Sequence, residues 1–517
     1  MKTWVLVTAL VGTTTAHAQR ADELARVEAE IALRELRVED AERLLGPLAR
    51  SRPRDPNVLH ALALLHFHKG RYEEAASAME ASITADAPRQ ENDPRPTLLG
   101  LMQSTRDATR GWVESRSDDG RFVVRHAPGR DRHLVDYALR ALEGADRALE
   151  AELGFRMPGP VRLELYPHAR ALASVSTLSV EAIERTGTIA LCKWDKLMVT
   201  SPRALLRGYP WMDTIAHEYV HLVLTRVSRD NAPVWFQEGV AKFLERRWRM
   251  PEARPHLSPA SRGLLRRAHR EDRLLSFDQI HPSIALLPSQ EDAALAFAQV
   301  STFVARYYAQ HGASTLRAAI ARMASGTDAR DALARAAGKR WSELEADWIG
   351  SLDASTTGDA PSLLPMRLRE GDAEADETPD VTEGARRPLR LGDLLWGRRR
   401  FRAAAVEYER ALSLAPGNPI VASRLARAAV EGGTPERAVA ALTPVVAQYP
   451  EHAPTQAVLA RAKRLLGDAA GAREAAAIAI RLNPFDPSPH CDLAEVAESG
   501  AERAAEADRC RALGGSP

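Results

Sequence analysis

The sequence predicts an α+β chain, mostly helical, in which a small sheet and a pair of buried helices lie between two arrays of helical repeats. Three observations lead there. Ala, Leu, Arg and Glu dominate while aromatics make up only 5% of the 517 residues, a composition that favours helices. Residue types recur every 34 positions near both ends of the chain. Between the repeats, short alternating segments read as strands and lead into one apolar helix that carries H-E-x-x-H. At this length two to four domains are expected. Seventy basic and 69 acidic residues leave a net charge of +1, which gives no electrostatic reason to invoke nucleic acid or an anionic membrane.

Taken in order, residues 1–18 read as a secretory signal. Lys2 supplies the positive start, 4–11 a short apolar core, and Ala16-His17-Ala18 an A-x-A cleavage site after Ala18. The apolar run is too short to span a bilayer, and no later stretch looks transmembrane, so stable membrane insertion is not expected. No cysteine follows the core, which argues against a lipoprotein anchor. A periplasmic or secreted location is the expectation.

Residues 21–89 carry the first repeat. Ala41 and Ala75 lie 34 apart, as do Pro53 and Ala87. Leu62, Gly70 and Tyr72 complete the pattern, and 70–75 reads as the turn between two helices. The second array, 387–515, is more regular. Pro416, Pro450 and Pro484 keep the 34-residue period, as do Ala404, Ala438 and Ala472, and Leu391, Leu425, Leu459 and Leu493. Both stretches resemble tetratricopeptide repeats, helical hairpins that stack into a solenoid and recruit protein partners.

Between the arrays, 111–352 is expected to form one domain. Residues 122–126 and 161–166 alternate as strands, 131–153 is helical, and 188–200 reads as one or two more strands directly before the apolar helix. Residues 293–352 are helical again. Arg246 to Arg273 is rich in arginine, a solvated face or a bias toward acidic peptides. Residues 353–386 are rich in Asp, Glu, Thr, Pro and Gly and read as a flexible linker. Cys491 and Cys510 fall on the two helices of the last repeat and are candidates for a disulfide; Cys192 stands alone in the strand region, and no C-x-x-C occurs.

The chemistry concentrates in 211–245. His217 and His221 lie four apart, so both imidazoles share one helix face and can point at one metal ion. Glu218 follows the first histidine, placed to act as general base without binding the metal. A catalytic zinc takes three protein ligands and keeps one position open. Glu238, at the start of a second amphipathic helix, is the best candidate for the third, with Glu245 next in line.

His217 to His221 followed by Trp235-Phe236-Gln237-Glu238-Gly239-Val240-Ala241 resembles the gluzincin metallopeptidases, most closely the W-x-x-E-G-x-A-x-x-x-E block of aminopeptidase N-like enzymes and their peptidase MA-like bacterial relatives. The resemblance implies a thermolysin-like zincin domain, with a small twisted sheet beside the active-site helices. It implies one Zn2+ held by His217, His221 and Glu238, with Glu218 as catalytic base and proton shuttle and Glu245 as support behind the ligands. It also makes the strand at 188–200 the edge on which an extended peptide lies, and a Tyr or His of the later helical region an oxyanion stabiliser, with Tyr307, Tyr308 and His311 as candidates. Sixteen residues separate His221 from Glu238, which calls for a tight connecting loop. No G-x-M-E-N segment precedes the helix, the element that holds a free amino terminus in the aminopeptidases. The expected function is therefore an exported zinc endopeptidase acting on peptide or protein substrates, with the repeats recruiting a partner. The competing expectations are a non-catalytic peptidase-like scaffold and hydrolysis of a non-peptide amide.

Overall fold

The computed structural model of the chain describes residues 4–86, 92–252, 256–281, 283–352, 360–369 and 376–516, with the side chains of 4–18 and 285 left aside. Residues 1–3 of the expected signal, 87–89 of the first repeat, and 353–359 and 370–375 of the expected linker lie outside the described residues. The architecture is mostly helical with one small mixed sheet.

At the N-terminal end, α1 (Trp4–Arg34) pairs with α2 (Val38–Ser51), and α3 (Pro56–His68) pairs with α4 (Tyr72–Ala85). Asp55 starts α3 by accepting from the backbone of Asn57 at 2.9 Å, with Pro56 at the first helical position where its missing N–H costs nothing. Small and branched residues at helical spacing, Ala41, Leu45, Ala61 and Leu65, are buried between the hairpins. A fifth helix, α5 (Arg95–Ala108), covers α4 and leads into the sheet.

Five strands form that sheet: β1 (Val113–Arg116), β2 (Phe122–His126), β3 (Val161–Tyr166), β4 (Ala190–Lys193) and β5 (Lys196–Thr200). Their order is β1-β2-β3-β5-β4. The three middle strands run parallel, while β1 and β4 pair antiparallel at the two edges. Parallel strands need crossovers, supplied here by α6 (Val135–Leu153) between β2 and β3, and by α7 (Ala169–Ser174) and α8 (Val180–Thr186) before β4. Every residue of β3 and β5 is buried, so their apolar runs are interior strands, with Arg162, Glu164 and Lys196 as the charged exceptions.

After β5 the chain forms α9 (Trp211–Ser228), α10 (Val234–Leu244), α11 (Pro259–Arg270), α12 (Phe277–Ile280), α13 (Gln290–Ala324, broken at Gly312), α14 (Ala329–Ala337) and α15 (Trp341–Ser351). The sheet, α6, α9, α10 and α13 share one apolar core. The C-terminal end is four helix pairs: α16 (Glu383–Gly397) with α17 (Phe401–Leu414), α18 (Pro419–Glu431) with α19 (Pro435–Gln448), α20 (Ala453–Leu465) with α21 (Ala469–Leu482), and α22 (Pro487–Glu495) with α23 (Gly500–Ala512). Ala404, Ala438 and Ala472 are fully buried, as a small residue at a close helix crossing must be.

The expected flexible linker needs correction where it is described. Residues 360–369 lie as a strap against the central domain: Leu206 N donates to Arg367 O at 3.0 Å, Arg369 N to Ala204 O at 2.7 Å, and Met366 N to Gln290 Oε1 at 2.9 Å. Apolar Leu363, Leu364, Met366 and Leu368 anchor it, and Arg367 pairs with Asp380. Overall composition concealed these few apolar anchors. Among the described residues no helix is long and apolar enough to cross a membrane.

Candidate metal centre

Helix α9 is buried almost all round, including Trp211, Ile215, Ala216, Val220 and the run from Leu222 to Leu224. Its orientation is set by polar clamps as well as by packing. Tyr219 donates to Asp146 of α6 at 2.7 Å, and Asp213 in the first turn accepts from Trp248 Nε1 at 3.0 Å and from Arg249 at 2.6 Å. The helix stops at Arg229, where that residue and Asp230 adopt left-handed backbone with φ of 52° and 59°. Pro233 then caps α10. This is the tight connection that the short spacing calls for.

Gly239 lets α10 press against α13. A Cβ there would lie 2.7 Å from the Val300 carbonyl oxygen and 2.8 Å from Val304 Cγ2. The residue beside it, Glu238, is thereby brought to the face of α9.

His217 Nε2 stands 3.1 Å from Glu238 Oε2 and 3.1 Å from His221 Nε2, and His221 Nε2 is 3.3 Å from the same carboxylate oxygen. One ligand atom from each of the three residues lies within 4.8 Å of the others. The far side of each imidazole is also occupied. His217 Nδ1 faces Glu245 Oε2 at 3.2 Å, and Lys242 Nζ holds the other oxygen of that carboxylate at 2.7 Å. His221 Nδ1 faces Gln237 Oε1 at 3.4 Å, while Gln237 Nε2 donates to Ala232 O at 2.8 Å, which fixes the amide with its oxygen toward the histidine. Two acceptors behind the rings favour protons on Nδ1, which leaves Nε2 of each ring as the atom able to bind a cation at the point shared with Glu238.

The donor set fits a divalent cation. Burial alone lowers the His217 pKa, but Glu238 and Glu245 outweigh it and raise it to about 10. Burial raises Glu238 and Glu245 too, yet the imidazoles and, for Glu245, chiefly Lys242 hold both well below the carboxylate range. The field that keeps a proton on His217 also attracts a dication, and two nitrogens with one carboxylate oxygen match a three-ligand zinc site with an open position. Glu218 is buried, and burial raises its pKa, which suits a group that must take up a proton.

Beside the site, β4 is the sheet edge nearest α9, and Cys192 on that strand is a free thiol whose pKa is pushed up by burial and then by Glu218. On the other side α13 presents Phe297, whose ring lies 6.1 Å from that of His217. Sequence reasoning missed Phe297 and Gln237. Gln237 could have been found from its place one residue before Glu238, whereas Phe297 depends on how α13 is rotated in the fold.

The three oxyanion candidates lie elsewhere. Tyr307 donates to Leu333 O at 3.0 Å in the α13–α14 core, and His311 packs on it with ring centroids 5.0 Å apart. Tyr308 stacks on Phe243 and donates to Glu152 at 2.6 Å. Their α13 segment lies beyond Phe297 and faces α14 and α6. In the arginine-rich stretch, Arg246, Arg247 and Arg249 are spent on Asp213, Glu152 and Glu451 instead of an open substrate surface. Cys491 and Cys510 are bonded, with Cα atoms 5.1 Å apart.

Residues 143–354 match the Peptidase MA superfamily, and two stretches match tetratricopeptide repeats, 26–90 and 395–462. No curated protein matches. Among solved structures, the tetratricopeptide domain of Sgt2 from Aspergillus fumigatus is 25% identical over 25% of this chain and 84% of its own, with a TM-score of 0.22. A thermophilic tetratricopeptide protein of Thermus thermophilus is 28% identical over 25% of this chain and 74% of its own, with a TM-score of 0.23. The Cut9–Hcn1 hetero-tetramer is 12% identical over 98% of this chain and 82% of its own, with a TM-score of 0.26.

Proposed function

We propose that this chain, a Peptidase MA superfamily domain between tetratricopeptide repeats, is a zinc-dependent metallopeptidase of gluzincin type that cleaves within peptide chains. The observation that carries the reading is the convergence of His217, His221 and Glu238 on one point, with buried Glu218 on the same helix. In this reading 111–352 is the catalytic unit, and 21–89 and 387–515 are the repeats, available to recruit a protein partner.

His217, His221 and Glu238 would hold the ion, with Glu245 and Gln237 fixing the two rings. Zinc held there supplies a Lewis acid for the scissile carbonyl and acidifies a water molecule. Glu218 takes the proton of the attacking water and passes it to the leaving amine nitrogen. The free edge of β4 aligns an extended substrate by strand addition. Export fits the apolar segment ending in Ala16-His17-Ala18 and the Cys491–Cys510 pair, which an oxidising compartment preserves.

The test is metal analysis and cleavage of an unfolded protein substrate. Glu218→Gln should keep one zinc per chain and lose hydrolysis by roughly 10²–10⁴-fold. Glu238→Ala should lose the metal itself. A protein that binds no metal and cleaves nothing would instead be a binding scaffold.

A further inference from the structure

The central domain and the last repeats meet along a seam that this chemistry leaves unused. Tyr209 N donates to Leu482 O at 2.9 Å, and Arg246 pairs with Glu451 across it. Within the seam lies a cavity of about 280 Å³. Met212, Trp248, Ala477, Ile480 and Leu493 give it an apolar wall. None of its lining residues is a metal ligand.

Three guanidiniums, Arg140, Arg481 and Arg509, line the same cavity against one carboxylate, Glu506. That carboxylate is taken by His490 at 2.6 Å and by Arg509. Arg140 lies on the Tyr137 ring at 4.7 Å and, among the described residues, bonds only to the Asp136 backbone oxygen. Arg481 makes no hydrogen bond or ion pair among the described residues. Its acidic neighbours Asp213 and Glu451 are already held by Arg246 and Arg249. Burial and then Arg249 lower the Arg481 pKa, against the pull of Asp213 and Glu451. An unpaired, part-buried guanidinium is costly unless an anion joins it.

An apolar wall beside unmatched cations fits a ligand with an apolar body and one anionic end. The volume is worth roughly nine waters, room for a leucine-sized side chain with a carboxylate. A second cavity of about 270 Å³ abuts the first at Tyr137 and Arg509, and its walls include Arg132, His133, Asp136 and Asp508. An acyl chain would want an apolar continuation there. Walls carrying both charge signs suit a peptide backbone instead. We propose that this seam captures a peptide by its C-terminal carboxylate and last apolar side chain, with Arg481 as the carboxylate partner.

Calorimetry on full-length, zinc-loaded Glu218→Gln protein tests this without hydrolysis of the probe, so the outcome is independent of catalysis. Acetyl-Leu-Leu-Leu with a free carboxylate should bind saturably, and its C-terminal amide at least tenfold more weakly. Arg481→Gln should weaken the acid at least tenfold without lowering Tm, since it removes an unmatched charge. Ala477→Trp should abolish binding by filling the cavity while leaving Arg481 in place. Equal affinity for acid and amide, unchanged affinity in Arg481→Gln, tighter binding of decanoate than of the peptide, or no binding at all would overturn the proposal.

Discussion

The Tyr72 hydroxyl donates to Glu164 Oε1 at 2.5 Å, joining the second N-terminal hairpin to the middle strand of the sheet. Lys196 Nζ, fully buried, reaches the same hydroxyl at 2.9 Å and the other Glu164 oxygen at 3.0 Å. Arg125 and Tyr166 complete the set around Glu164 at 2.9 and 2.6 Å. The tyrosine that fills a tetratricopeptide position is thus also a wedge in the central domain, and the first repeats are part of its packing.

Tyr72→Phe keeps the ring and removes the hydroxyl, so Lys196 and Glu164 each lose a buried partner. The expected cost is about 1–3 kcal/mol. A shift of the urea midpoint to lower concentration, with unchanged zinc content, is the expected result; an unchanged midpoint would show that the hairpin is not braced through this contact.

Much of this architecture was legible because its signals are local. His217, Glu218, His221 and Glu238 sit within one short stretch, and a 34-residue period needs only counting. What sequence could not disclose were relations set by tertiary packing. Tyr72 fitted its repeat so well that nothing hinted at Glu164. Nothing in the pattern of α13 tells that Phe297 faces His217 while Tyr307 and Tyr308 bond to Leu333 and Glu152, because that rotation is set by packing. The strap at 360–369 is held by a few apolar side chains and by hydrogen bonds to its backbone, which leave little trace in composition. Strand β1 is polar and short, so its place beside β2 had no alternation to announce it.

Gln237 offers a second test. Its oxygen faces His221 because its nitrogen is committed to Ala232. Gln237→Met preserves length but removes the acceptor that orients the ring. Zinc affinity, measured by chelator competition, should fall by roughly 10–100-fold, while loss of the bond to Ala232 costs the chelated protein only about 0.5–1.5 kcal/mol, that of one hydrogen bond. Full affinity in this variant would mean that the imidazole is oriented by packing alone.

Gly239→Ala tests the contact between α10 and α13. The new methyl meets the Val300 carbonyl and Val304 at distances that no Cβ tolerates, so α10 must move outward and carry Glu238 with it. Destabilisation of about 1–3 kcal/mol is expected, together with weakened zinc binding. If stability falls but zinc affinity does not, the third ligand is positioned by something other than this close approach.

The last prediction concerns acid. Burial, and then Arg162 and Lys196, hold His68 at a pKa of about 3; burial and Arg207 do the same to His452. Both folded values lie below the ordinary 6.5, so the unfolded chain takes up these protons first. Stability from this source is complete above pH 6.5 and is lost as pH falls toward 3, by up to about 1.4 kcal/mol per unit for each histidine. Burial would raise Glu164, but Lys196 and Arg125 hold it at about 2, so its contribution is complete above the ordinary 4.5 and disappears below that. Thermal midpoints should therefore decline from pH 6.5 downward and fall more steeply under 4.5. His452 caps α20 by accepting from Thr455 N at 3.3 Å, a role asparagine also fills. His452→Asn should thus keep the cap and flatten the decline between pH 6.5 and 4.5. A wild-type midpoint that is level across that interval would show that neither histidine is held neutral by the fold.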